Sequence, residues 1–220
     1  MADNWEQRAD ILAASAVAAE APTEWFDQLY AAGRRGEIEM PWDRGRPNQA
    51  LTEWAEGRDG TGRRALVIGC GLGQESELLA RLGYEVSAFD ISESAIATVR
   101  ERFPDSPVHY RVADLLDPPA DLLGAADLVV EAYTVQALPE SIRALATTNV
   151  ARLVAPGGTL LVIANAVDTA TAIADGPPWP LTRANLDAFA ANGLTEARIE
   201  DLVDPNVPGL RRWRAEFRRG

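Results

Sequence analysis

Three alternating glycines, Gly69, Gly71 and Gly73, follow the apolar run "ALVI" in the stretch "ALVIGCGLGQE". Glycines at this spacing let a backbone turn sharply and approach a ligand without side-chain interference. A helix starting at Gln74 would aim unpaired backbone N–H groups at the same point. Asp90 lies 19 residues beyond Gly71, at the end of a second apolar run. A carboxylate there can accept hydrogen bonds from a ribose diol. In "VADLLD", Asp114 stands where it could hold the amino group of an adenine. These types and spacings point to nucleoside recognition at the carboxyl edge of a sheet. Each acid also has a plainer use: Asp90 precedes "ISES" at a helix start, where an acid caps.

The residue at position 74 separates two nucleotide chemistries. A dinucleotide fingerprint, G-x-G-x-x-G from Gly69, needs glycine at 74, and this chain has Gln74. Two acids for ribose and adenine, with no lysine anywhere to meet a pyrophosphate, suit S-adenosylmethionine better than NAD. An NAD-dependent oxidoreductase and a non-catalytic S-adenosylmethionine-binding protein stand as rivals from other classes. Methyl transfer from a sulfonium is a displacement on an already activated donor. The protein must align the acceptor and strip away water. A thiol acceptor with pKa about 8.5 is partly ionised near neutrality and needs no base.

Candidate reacting groups lie at the carboxyl end of the fourth strand, where α/β sheets place working residues. Glu131 could orient the methionine amine or the acceptor, and Tyr133 could hydrogen-bond an acceptor sulfur or oxygen. Arg46 could hold an anionic substrate group or simply be solvated, and Trp179 of "GPPWP" could wall the pocket. His109, the only histidine, reads as a packed or edge-strand residue rather than a base. Cys70, the only cysteine, reads as a small apolar filler within the glycine loop. It excludes an intramolecular disulfide and offers no metal cluster.

The elements that must position these residues follow from periodicity. Strands are expected at 64–68, 85–89, 108–112, 127–131 and 158–164. Helices are expected at 74–82, 92–103, 139–154 and 182–191. Strands alternating with helices imply a parallel sheet covered on both faces. Segments 194–203 and 210–218, joined by "DPNVPG", should pair as an antiparallel hairpin, because the link is too short for a crossover. Before the first strand, residues 4–20 and 23–32 read as helices. "GRRGEIEMPWDRGRPNQAL" breaks regular structure and reads as a lid or connector. The 220 residues suit one domain, with 1–60 as helical cap and lid and 61–220 as core.

A net charge of −12 repels phosphate backbones, which argues against nucleic acid as a partner. No apolar run approaches the roughly 20 residues that span a bilayer. The start "MADNWEQRAD" lacks the basic opening of a secretory signal. A cytoplasmic protein, monomer or homodimer, is the expectation. The Arg-only, Ala-rich composition fits coding bias in a GC-rich bacterial genome.

Taken together, "LVIGCGLGQE", "SAFDISESAI", "VADLLD", "DLVVEAYTVQALP" and "LVAPGGTLLVIA" resemble the successive motifs of class I S-adenosylmethionine-dependent methyltransferases. "WFDQLYAAG…PWDRGRPNQAL", "GPPWPLTRANLDAF" and "RRWRAEFRR" resemble the thiopurine methyltransferase-like group, in particular its halide/thiol branch. The resemblance implies a Rossmann-like, seven-stranded, mostly parallel sheet with a C-terminal antiparallel hairpin and an N-terminal helical cap. It implies S-adenosylmethionine as methyl donor, S-adenosylhomocysteine as product and a small-molecule acceptor, a thiol before an oxygen or nitrogen. Gly69, Gly71 and Gly73 would surround the methionine part. Asp90 would take the ribose with Ile91 beside the adenine, and Asp114 and Leu115 would meet the adenine edge. Phe26, Tyr30 and Trp42 match positions where that group packs rings over the cofactor, although Phe26 and Tyr30 could equally pack their helix on the core. The chain departs from the group near the expected substrate pocket. After strand four Glu131 comes first and Tyr133 two places later, where the group has an adjacent Asp-Tyr pair.

Overall fold

A computed structural model of the chain describes residues 5–18, 22–40, 42–169, 177–204 and 207–220. Seven strands form one sheet in the order β3-β2-β1-β4-β5-β7-β6. The first five are β1 (Arg64–Ile68), β2 (Glu85–Asp90), β3 (His109–Val112), β4 (Ala126–Ala132) and β5 (Val154–Asn165). All of their mutual pairings are parallel. β6 (Leu194–Val203) and β7 (Arg211–Arg219) are antiparallel to each other, and β7 is antiparallel to β5. Every strand expected from periodicity is present. The largest boundary difference is at β5, which begins at Val154 and runs through Gly157 and Gly158, with a register shift against β4 near Ala126.

The strands bury both faces, which is why they read as continuous apolar runs rather than alternating ones. Leu66, Ile68, Val129, Leu160 and Val162 face one core, shared with α6 (Glu140–Leu153) and α7 (Arg183–Ala191). Ala65, Val67, Leu128, Val130 and Leu161 face the other, shared with α4 (Gln74–Arg81) and α5 (Glu93–Arg102). Chain order reverses between β1 and β4, so a crevice opens at their carboxyl ends.

Helices α1 (Trp5–Ala18) and α2 (Glu24–Arg34) pack as an N-terminal cap around Trp25, Leu29 and Ile38. The expected ends of α1 at residues 4, 19 and 20 fall outside the described residues. A third cap helix, α3 (Gln49–Ala55), stands where a connector was expected. Asn48 is its N-cap, its side chain accepting from the Ala50 N–H at 2.8 Å. Trp54 of this helix donates to Glu216 at 2.8 Å, and Arg214 donates to the Ala50 carbonyl at 3.1 Å, so α3 is docked on β7. These partners lie more than 160 residues away, beyond the reach of local pattern.

The cap also completes a core helix. Asp27 of α2 accepts from the Ser92 hydroxyl at 2.7 Å and from the Ser94 N–H at 2.9 Å, at the start of α5. Burial works to raise its pKa, but these bonds outweigh burial and hold the carboxyl below its ordinary value. Asp27→Ala is expected to lower stability by about 1 kcal/mol, the usual worth of a helix cap. A depressed carboxylate contributes above its unfolded pKa, and that contribution fades as pH falls through the folded value. Urea unfolding of wild type and variant should therefore differ near neutrality and converge in acid.

Candidate functional site

The crevice at the sheet's switch point is the floor of a cavity of about 1040 Å³. The glycine loop, the ends of β2 and β4, the cap and the β6–β7 hairpin all line it. Gly69, Gly71, Gly73, Asp90, Ile91, Asp114, Leu115, Phe26, Tyr30, Trp42, Arg46 and Tyr133 are all among the lining residues. Glu131 and Trp179 are not.

Two of the glycines are required by their surroundings. At Gly71 (φ +49) a Cβ would stand 2.7 Å from the Tyr30 hydroxyl; at Gly73 (φ +86) it would stand 2.4 Å from Val99 Cγ2. Any other residue would push away the cap in the first case and α5 in the second. Gly73 is also the left-handed N-cap of α4. The Gly71 N–H donates to Asp90 Oδ2 at 2.9 Å, and the Ser92 N–H donates to Asp90 Oδ1 at 3.0 Å. Burial pushes the Asp90 carboxyl up in pKa, and these backbone bonds oppose the rise. Each oxygen has a further lone pair for a ligand. Asp90 thus accepts from the residue that caps α5 and also faces the cavity.

Asp114 accepts from the Leu116 N–H through one oxygen at 2.7 Å, and Leu115 beside it is buried. Over the loop, Trp42 donates to the Tyr30 hydroxyl at 3.0 Å, with ring centroids 5.8 Å apart in an edge-on arrangement. Trp42 is 38% exposed while Tyr30 is buried. Tyr30 thus packs the cap against the loop, while the indole lies at the cavity wall. Phe26 stacks on Trp25 at 4.0 Å and touches both the cap and the main core. Cys70 is buried, with its thiol pushed up by burial and then by Asp90, in keeping with a filler. His109 is exposed on the edge strand β3.

The carboxyl end of β4 behaves differently from expectation at Glu131. Its side chain is fully buried beneath the turn that follows β4. Oε1 accepts from the N–H groups of Thr134 at 2.7 Å and Val135 at 2.9 Å, while Oε2 has no partner. Strand alternation turns this side chain away from the cavity and the next turn covers it. Tyr133, at φ +63, is the one non-glycine residue with positive φ among the described residues. A left-handed conformation in a bulky residue marks a constrained, often functional, position. Trp179 likewise misses the cavity: its N–H donates to the Gln136 carbonyl at 2.7 Å, and Pro177 and Pro178 form the wall instead.

Several lining residues were not anticipated. Asn48 donates through Nδ2 to the Tyr133 hydroxyl at 3.0 Å, and its backbone N–H donates to Glu75 at 2.9 Å. Burial raises the Glu75 pKa, opposed by that bond and by Arg44. Arg212, ion-paired with Asp204, reaches the same side of the cavity from the hairpin. Asn48 had a local signal, since "PNQALTEW" is an N-cap followed by a helical run. The hairpin residues had none.

A family described as thiopurine S-methyltransferase matches residues 24–216. A probable thiol methyltransferase of Arabidopsis thaliana is 25% identical over 92% of this chain and 95% of its own. A ubiquinone biosynthesis O-methyltransferase of Caulobacter is 37% identical over 52% of this chain and 47% of its own length. The chain spans about half the length of such O-methyltransferases. A solved structure from work on the conversion of a disulfide bond into a thioacetal group during echinomycin biosynthesis superposes with a TM-score of 0.71. It is 26% identical and covers 90% of this chain and 92% of that one. The N-methyltransferase NodS of Bradyrhizobium japonicum, bound to S-adenosylhomocysteine, gives 0.67 at 22% identity over 86% and 96%. No helix among the described residues is long and apolar enough to cross a membrane.

Glu131 makes the site sensitive to pH. Burial pushes its pKa up to about 7, against 4.5 for an ordinary glutamate. A raised carboxyl favours the native state while protonated, so that contribution is complete in acid and declines as pH rises through this window. Between about pH 5 and pH 8, wild type should lose stability relative to Glu131→Gln, as read from urea midpoints at both values.

Proposed function

Because the chain belongs to the thiopurine S-methyltransferase family, we propose that it transfers a methyl group from S-adenosylmethionine to a small-molecule acceptor, with a thiol favoured. The observation that carries this reading is the cavity itself. A glycine loop of left-handed backbone, a buried carboxylate at the end of β2 and an indole flap converge on one space at the switch point.

The residues present suit an adenosyl ligand. Asp90 keeps lone pairs free for the ribose hydroxyls beyond its two backbone bonds. Ile91 and Leu115 offer apolar contact for an adenine, and Asp114 has one carboxylate oxygen left for its amino group. Gly69, Gly71 and Gly73 leave room for the methionine part, and the rings of Tyr30 and Trp42 can attract a sulfonium. The cavity, at about 1040 Å³, has space for an acceptor as well.

Bound S-adenosylmethionine supplies a methyl group already activated by its charged sulfur. The chain's own work is orientation and exclusion of water. Orientation can contribute roughly 7–11 kcal/mol, more than the 10²–10⁴-fold typical of a single base. Tyr133 is placed to touch the acceptor. Glu131 acts indirectly, holding the 134–135 backbone and with it the turn that carries Tyr133. Arg46, exposed at the cavity rim, is available to an anionic part of the acceptor. The match to O-methyltransferases over half the chain favours a hydroxyl acceptor as the second reading.

Incubation with labelled S-adenosylmethionine and a panel of small thiols, phenols and amines tests the reading. Label should pass to thiols; transfer to phenols alone would favour the second reading, and binding without any transfer would refute both. Asp90→Asn is expected to weaken S-adenosylmethionine binding by about tenfold or more, measured by calorimetry, as the loss of a charge-assisted bond implies. The strap at residues 34–46 should be cut more slowly by protease when S-adenosylmethionine is present, and equal cleavage would count against a cap that closes on the ligand.

A further inference from the structure

The hairpin of β6 and β7 ends over the crevice. β7 runs antiparallel to β5, and Arg212 near its start pairs with Asn165 at the carboxyl end of β5. The tip that joins β6 to β7 therefore projects beyond the same sheet edge as the glycine loop. Hairpin tips in solvent are built mainly of glycine, proline, asparagine and aspartate. This one adds apolar side chains, and Leu202, Val203, Val207 and Leu210 all line the cavity.

Six large apolar side chains are exposed among the described residues. Ile11, Val112 and Leu145 stand singly on α1, β3 and α6, which is ordinary for a protein surface. The other three, Trp42, Val203 and Val207, line this one cavity. Val203 is 70% and Val207 47% exposed, so both stand at its mouth. Pro177 and Pro178 add apolar surface from the segment after β5. The charges on this side are matched within the protein: Asp201 pairs with Arg211, Asp204 with Arg212 and Glu53 with Arg214. The hairpin end therefore offers apolar surface and leaves these charges already paired. At about 1040 Å³ the cavity also stands at the upper end of the range that holds one drug-sized ligand, roughly 300–1,000 Å³. The glycine loop, Asp90 and Asp114 account for only one end of it.

We propose that the hairpin tip is a subsite for an apolar body of the methyl acceptor, and that Val203 and Val207 select acceptors carrying an alkyl chain of several carbons. This rests on the methyl-transfer reading above and narrows the acceptor by shape and polarity rather than by the atom methylated. The reacting atom has to reach the cavity floor, so a longer body lies against the mouth. Each methylene that covers a valine there removes apolar surface of both partners from water.

The test is calorimetric binding of straight-chain primary alcohols, from butanol to octanol, to protein saturated with S-adenosylhomocysteine, so that no methyl group is transferred. The Kd should fall about two- to fourfold for each added methylene. Val203→Ser combined with Val207→Ser should remove most of that dependence while the affinity for S-adenosylhomocysteine and the urea midpoint are kept. Leu145→Ser, at a similarly exposed apolar position on α6 outside the cavity, should leave the series as in wild type. A wild-type Kd independent of chain length, or no binding of octanol, would overturn the inference. So would a dependence that survives in the double variant or disappears in Leu145→Ser. If S-adenosylhomocysteine binds and any of these occurs, the inference alone fails; if it does not bind, the methyl-transfer reading beneath it fails too.

Discussion

The site depends on one buried carboxylate. Asp90 ends β2 and accepts N–H groups from the glycine loop after β1 and from the start of α5. Two crossover units are thereby joined at the carboxyl edge of the sheet, where both would otherwise leave polar groups unpaired. Burying a charge is unfavourable, and the backbone bonds recover only part of that cost. The remainder is what a ligand able to donate to the same oxygens can use.

The cap is attached to this floor through polar groups at the site rather than by apolar packing alone. Asp27 finishes α5, Tyr30 sits over Gly71, and Asn48 bonds to both Glu75 and Tyr133. Farther out, Asp43 takes two bonds from Arg102, at 2.9 and 2.6 Å, beside Trp42. Cap and core therefore meet at the residues that would touch a ligand.

Beyond β4 the chain tolerates two unfavourable features side by side. Glu131 is buried with one oxygen unpaired, and Tyr133 adopts a left-handed backbone. Each is costly in isolation. The carboxylate holds the turn by two N–H bonds, and the Tyr133 phenol at its start accepts from Asn48.

Most of the sheet was legible in the sequence, because strands buried on both faces read as apolar runs and the helices between them as amphipathic ones. That the glycine loop, Asp90, Ile91, Asp114 and Leu115 would gather at one cavity was legible for a related reason: each follows directly on a strand end of the parallel sheet. The helix α3 was missed because glycines and prolines before it dominate the pattern, and because its stability comes from β7. Glu131 and Trp179 were misplaced because one-dimensional spacing puts a residue at a strand end without saying to which face its side chain turns. Asn48 joins Tyr133, 85 residues further on, only after the cap has packed on the end of β4. The sequence by itself determined the parallel core and the glycine loop at its carboxyl edge, since both arise from local steric and hydrophobic preference. Tertiary structure alone decided which groups of the cap and hairpin line the cavity, because side-chain contacts depend on partners that local sequence does not contain.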